Sequence, residues 1–252
     1  MSGHSKWSQI KRQKGVADAK RGQLFTKLGR EITIAARQGG GDPEANFRLR
    51  LAVQKARDNN MPAENIERAI KRGAGGPEGA ALEEVAYEGY GPGGTAILLQ
   101  ALTDNRNRTV SDLRNIFTRA GGNLGEAGSV IWLFEQRGVI VVDINKGVDA
   151  EELELRAIDA GADDVKVEDS SLEIYTKPED LESVRKALVE QGLPIASAEL
   201  SMVPKSVVQL EEKAALQTLK LLDRLEDLDD VQRVFSNADF PVEVVERYSA
   251  QA

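Results

Sequence analysis

Within the opening stretch MSGHSKWSQIKRQKGVADAKRGQLF, six cations (Lys6, Lys11, Arg12, Lys14, Lys20 and Arg21) surround a single carboxylate, Asp18, and one indole, Trp7. Such a set is suited to binding rather than bond-breaking. Lysine and arginine displace the counterions condensed on a phosphate backbone, an attraction that needs no base sequence. Trp7 between cations can also stack on a base, the aromatic-in-basic arrangement that grips single strands, or it can pack in a core. Two blander readings compete: a solvated helix face with a frayed terminus, and an organelle transit peptide, which is also basic and poor in acids. The glycines, the early Trp and the direct join to an amphipathic helix speak against the transit peptide.

A second set lies in TDNRNRT, residues 103–109. Asp104, Asn105 and Asn107 suit a turn, and Thr109 or Asn107 suits a helix cap. Arg106 and Arg108 would then flank backbone N–H groups at a helix N-terminus, a secondary anion site. The alternative is capping plus surface arginines.

Catalysis finds little footing. His4 is the only histidine, so a Ser-His-Asp triad would have to recruit it from the terminus. Cysteine is absent, which excludes disulfides, thiol nucleophiles and thiolate metal sites. DDVKVED and EDLDD read as solvated acidic faces, and neither matches a calcium loop. GYGPGG lacks the Lys-Ser/Thr ending of a P-loop, and GGNLGEAGS lacks dinucleotide-binding spacing, so both read as turns. No enzyme, cofactor or metal is expected.

Charge is divided unevenly along the 252 residues, whose formal net charge is −8. Residues 1–72 hold 16 Lys+Arg and 7 Asp+Glu, a net of +9, and the remainder carries 17 and 34, a net of −17. A polyanion-binding module joined to an acidic body is implied. Screening over ~8–10 Å lets the basic part feel its own neighbourhood. The expected partner is nucleic acid, either DNA or ribosomal RNA. The acidic remainder would suit a basic protein partner. No stretch approaches ~20 apolar residues, so no membrane partner is expected. The leader lacks the apolar segment of a secretory signal, and a cytoplasmic location follows.

These side chains need elements to position them. From Lys20 to Gln38, Leu24, Phe25, Leu28, Ile32, Ala35 and Ala36 share one side of a helix. Lys27, Arg30 and Arg37 share the other, which predicts an outward cationic face. Asp42-Pro43 is read as the N-cap and first turn of a second helix ending near Asp58, and Pro62 opens a third ending near Gly73. The last two could form a helix-turn-helix, although the third helix mixes Glu64 and Glu67 with Arg68, Lys71 and Arg72.

After GAGGPEGA the period becomes strand-like. A hairpin around GPGG, a helix at 108–120 and a strand VIWLF are expected. Residues 137–203 read as βαββαβ, the ferredoxin-like order. A helix near 209–226 and the strand VQRVFSN follow, and they are expected to complete the middle segment. The predicted fold is α+β and multidomain. It comprises a basic three-helix bundle (1–76), a discontinuous α/β sandwich (77–136 with 204–252), and an inserted ferredoxin-like domain (137–203), both sandwiches being of ferredoxin-like type.

The stretches GHSKWSQIKRQKG, RGQLFTKLGREI, AARQGGGDPEANFRLR, NNMPAENIERAI, YEGYGPGG, TDNRNRT, GGNLGEAGSVIWLFE and VQRVFSNADF together closely resemble the YebC family. The resemblance runs from Gly3 to about Phe240. It implies three domains, the third inserted in the second, and a cytoplasmic, non-enzymatic regulator of gene expression. The family is labelled as probable transcriptional regulators and includes a mitochondrial translational activator. Some members are described as DNA-binding repressors and others as ribosome-associated factors that relieve stalled translation. It supplies no agreed contact residues, so the candidate site stays the one drawn from charge and helical geometry.

Overall fold

The computed structural model describes residues 18–75, 82–144, 150–168 and 171–251. Three helices come first: α1 (Asp18–Gly39), α2 (Phe47–Asp58) and α3 (Ala63–Gly75). Leu28, Ile32, Leu49, Val53, Met61 and Ile66 fill the space between them, the i, i+4 spacing on α1 setting the stripe. Gly73 lets α3 approach α1 closely, since a Cβ there would sit 2.2 Å from the Thr33 carbonyl oxygen.

The expected cap of the second helix is corrected. Asp42 closes a turn, accepting from the Glu44 N–H at 2.9 Å. The cap is Asn46, 6% exposed. Its Oδ1 accepts from the Leu49 N–H at 3.0 Å, and its Nδ2 donates to the carbonyls of Ala35 and Gly40, both at 2.8 Å. One amide therefore satisfies orphan groups at the end of α1 and the start of α2, which a carboxylate with no donor cannot do.

The chain divides into two compact units, residues 1–133 with 206–252, and residues 134–205. In the first, β1 (Glu83–Tyr90) and β2 (Ala96–Thr103) form a hairpin. Then come α4 (Arg106–Arg119) and the short β3 (Asn123–Leu124). β4 (Phe134–Asp143), α5 (Ala150–Asp159), β5 (Asp164–Glu168), β6 (Ser171–Thr176), α6 (Leu181–Glu190) and β7 (Ile195–Pro204) make up the second unit. The first resumes with β8 (Val208–Gln209), α7 (Glu212–Glu226), β9 (Val231–Ser236), β10 (Ala238–Asp239) and α8 (Val242–Gln251).

The first unit's main sheet has the order β3-β1-β2-β9, all antiparallel. Ile97, Leu99, Leu113, Phe117, Leu219 and Leu222 make its core. Because the chain enters on a hairpin with no helix between its strands, this sheet does not have the βαββαβ order, which corrects the expectation of a ferredoxin-like type there. The second unit does have that order, with its strands arranged β5-β6-β4-β7. VIWLF is also corrected: Ile131–Leu133 form a single 3₁₀ turn, and the strand begins at Phe134. Among the described residues no helix is long and apolar enough to cross a membrane.

Candidate nucleic-acid interface

Lys6, Trp7, Lys11, Arg12 and Lys14 lie outside the described residues, and of Lys20 only the backbone is described, in the first turn of α1. Arg21 and Arg37 are exposed on that helix.

Lys27 and Arg30 are not on an outward face, which corrects the expectation for these two residues. Lys27 Nζ donates to the Glu226 carbonyl and Gln23 Nε2 to the Asp227 carbonyl, both at the C-terminus of α7. That end carries unsatisfied carbonyls and the negative pole of the helix, so a cation is its natural cap. Arg30 donates to the Asp229 carbonyl at 2.7 Å and to Asp230 Oδ1 at 3.0 Å. The sheet side supplies these acceptors, so α1 docks part of its charged stripe instead of wetting it. Glu31 with Arg233 and Arg48 with Glu84, each at 2.9 Å, tie the helices to the same sheet.

Asp230 is the hub of this contact. EDLDD reads as a solvated stretch, yet Asp230 is 7% exposed. It accepts from Thr103 Oγ1 at 3.1 Å, Thr109 Oγ1 at 2.8 Å and Arg108 at 2.9 Å, besides Arg30. Burial alone would raise its pKa, but the donors from Arg108, Thr109 and Thr103 outweigh it, and the carboxyl is held below its ordinary value.

The expected cap at the secondary set is corrected as well. Asn105, not Thr109 or Asn107, caps α4, accepting from the Arg108 N–H at 3.1 Å. Arg108 is shared between Asp104 and Asp230, and Arg106 pairs with Glu83 at 2.6 Å. The chain's own carboxylates neutralise both arginines, where an incoming phosphate would have to compete.

Exposed cations remain on the helices. Arg57 on α2 and Lys71 and Arg72 on α3 join Arg21 and Arg37 on α1. Arg57 escapes a reading that follows charge along α1 and not around the bundle. The exposed side of α3 is mixed: Glu64 pairs with Arg68 at 2.7 Å, and Glu67 is exposed.

The basic helical region and the α+β units that follow it are matched in turn by the models of one family. Residues 5–76 match the TACO1/YebC protein N-terminal domain, and residues 82–238 match the TACO1/YebC second and third domain. The chain belongs to the TACO1/YebC family. A protein of Dehalococcoides mccartyi described as a probable transcriptional regulatory protein is 60% identical over 252 residues, covering 100% of both chains. One of Chloroflexus aurantiacus with the same description is 60% identical, covering 99% of this chain and 100% of its own. The crystal structure of a conserved hypothetical protein from Aquifex aeolicus superposes with a TM-score of 0.82 at 52% identity, covering 89% of this chain and 92% of that one.

Proposed function

We propose that this protein is a non-enzymatic regulator of gene expression, acting in the cytoplasm, whose N-terminal region grips the phosphate backbone of a nucleic acid. The observation that carries the reading is the concentration of positive charge in residues 1–72. Part of it remains exposed on all three helices, at Arg37, Arg57 and Lys71. Lys6, Lys11, Arg12, Lys14, Lys20, Arg21 and Arg37 are the primary contacts, with Trp7 stacking beside them. Lys27 and Arg30 are left out because they are half-buried in the contact between helix and sheet, and Arg106 and Arg108 because they flank carboxylates that repel a phosphate. The acidic remainder is kept off the phosphates by like charge, which leaves it for a basic protein.

The descriptions of the bacterial relatives favour transcriptional regulation, for which we take duplex DNA as the ligand. The mixed charge of α3 favours a second reading, RNA on the ribosome, since a groove-reading helix would meet phosphates with Glu64 and Glu67. Titrations with an operator-length duplex, a random duplex and purified ribosomes at matched salt test both. A transcriptional regulator prefers its operator by a factor of ~10³ or more. A translation factor binds ribosomes without duplex preference. In either case, reversing the charge at Lys11, Arg12 and Arg37 makes the slope of log affinity against log salt shallower, by roughly 0.7–0.9 for each phosphate no longer neutralised. An unchanged slope overturns the proposal.

A further inference from the structure

DDVKVED reads as a solvated acidic face, yet its one cation, Lys166, is half-buried on the sheet of the second unit. Side chains alternate across a strand, and residues paired on neighbouring strands share a face. Asp164 and Val139 both pair with Tyr175, and Glu135 pairs with Val203. One face therefore carries Glu135, Arg137, Asp164, Lys166, Tyr175 and Val203, and these six line a cavity of about 300 Å³. Tyr175, 3% exposed, is its floor, and the Tyr175 Oη donates to Glu173 at 2.7 Å. The Lys166 ammonium lies over that ring, 5.0 Å from its centroid, a cation–π contact that holds the charge at the cavity.

The second unit is acidic, with 17 Asp+Glu and 8 Lys+Arg, a net of −9. Three of those cations, Arg137, Lys166 and Lys205, meet at this one cavity. Arg156, Arg185 and Lys186 pair instead with glutamates on their own helices. Lys166 makes no ion pair among the described residues. Its acidic neighbours are engaged elsewhere. Asp164 Oδ1 accepts from the Val165 N–H at 3.0 Å, and Glu135 Oε2 accepts from Arg137 Nε and Nη2, each at 3.1 Å. Cations outnumber carboxylates here by three to two. Around Arg106 and Arg108 the ratio is reversed, with Glu83, Asp104 and Asp230 facing two arginines.

A half-buried ammonium without a carboxylate is completed by an anion from outside, through charge-assisted hydrogen bonds. The cavity stands at the low end of the ~300–1,000 Å³ typical of small-molecule sites. A nucleic-acid strand would bring many charges against an acidic unit. A single small anion feels chiefly the groups within ~8–10 Å, and here those are cationic on balance. Three converging cations suit a doubly charged phosphate better than a carboxylate. We infer that this cavity binds the phosphate of a small phosphomonoester. Lys166 and Arg137 meet the phosphate, and Val203 and the Tyr175 ring meet the organic part. The inference goes beyond the proposed function and does not rest on the N-terminal region.

Amide correlation spectra of the full chain, titrated with adenosine monophosphate, test this. The nucleotide shifts the signals of Lys166, Tyr175 and Val203 and saturates them, and adenosine does not. Lys166→Gln weakens binding roughly tenfold, the worth of one charge-assisted hydrogen bond, and Lys166→Arg recovers most of that loss. Lys177, exposed in the same unit, does not line the cavity, so Lys177→Gln leaves the affinity within about twofold. Far-UV circular dichroism of each variant checks that the fold is intact. Absent shifts, equal shifts from adenosine, an unchanged affinity in Lys166→Gln, or an equal loss in Lys177→Gln each overturns the site. An oligonucleotide with a terminal phosphate, titrated in parallel, leaves the three signals in place. Should it shift them where the mononucleotide does not, the small-molecule ligand is overturned.

Discussion

Asp230 and Glu88 are both buried acids kept ionised, but opposite kinds of donor hold them. Asp230 is met by side chains: two arginines and two threonines from α1, β2 and α4. Glu88 is met by three backbone N–H groups of one loop. The first arrangement consumes positive charge that would otherwise face a polyanion, and it joins helices to sheet. The second consumes none and shapes a single loop. A buried carboxylate can thus serve as a bolt between helices and sheet or as a local clamp, and its donors decide which.

Breaking the bolt has the largest expected effect. Asp230→Ala takes one acceptor from Arg108, Thr103, Thr109 and the largely covered Arg30, leaving Arg108 with Asp104 and Arg30 with the Asp229 carbonyl. Removing one partner of such a network costs about 3–5 kcal/mol. Urea unfolding monitored by circular dichroism measures it, and a loss under about 1 kcal/mol would make Asp230 a bystander. Breaking the clamp costs less, because water can reach the partly exposed Gly128 and Ile131 N–H groups. Glu88→Gln removes the charge and turns one of the two acceptor oxygens into an NH2 donor, so at least one of the three hydrogen bonds is lost, and it is expected to cost about 1.5–3 kcal/mol. It also speeds amide exchange at Gly128, Val130 and Ile131, with Asn46 and its neighbours unaffected.

Acid sharpens the same comparison. Each group's pKa is lowered on folding, from an ordinary 3.8 for Asp230 and 4.5 for Glu88, against the upward push of burial. A depressed carboxylate contributes stability that is present above its unfolded pKa and lost as pH falls through the folded one. Wild-type stability should therefore drop below about pH 4. Asp230→Asn, already lacking the charge, should show a shallower drop. Parallel acid titrations of urea midpoints test this, and identical slopes would mean that Asp230 gains no ionisation advantage from folding.

The sequence made the apolar side of each element more legible than the charged side. Leu28, Ile32, Ala35 and Ala36 could only be a buried stripe, whereas Lys27 and Arg30 were compatible with water, phosphate or a carboxylate 200 residues away. Periodicity specifies which side of a helix is polar but not what that side meets. The same gap hid Asn46, whose amide reaches two helix ends across a loop, and Glu88, which reads as one more acid in LEEVAYEGY. The turn at Ile131–Leu133 was hidden for another reason: VIWLF reads as a strand, and a single 3₁₀ turn within five residues leaves no periodic trace.

The smallest expected effect separates two neighbours on α4. Arg106 and Glu83 form a close pair at 2.6 Å, but both side chains are more than half exposed, so water already solvates each charge well. Arg106→Ala should change stability by under about 0.5 kcal/mol. Arg108→Ala should cost more, because Asp230 is 10% exposed at its side chain and would keep its charge with one donor fewer. If the two alanine variants unfold at the same urea concentration, the pull of Asp230 comes from Arg30 and the threonines alone. The bolt would then run from α1 to β2 without α4's guanidinium. A double variant with Asp230→Asn distinguishes these cases: Arg108→Ala loses its cost there only if the two groups are coupled.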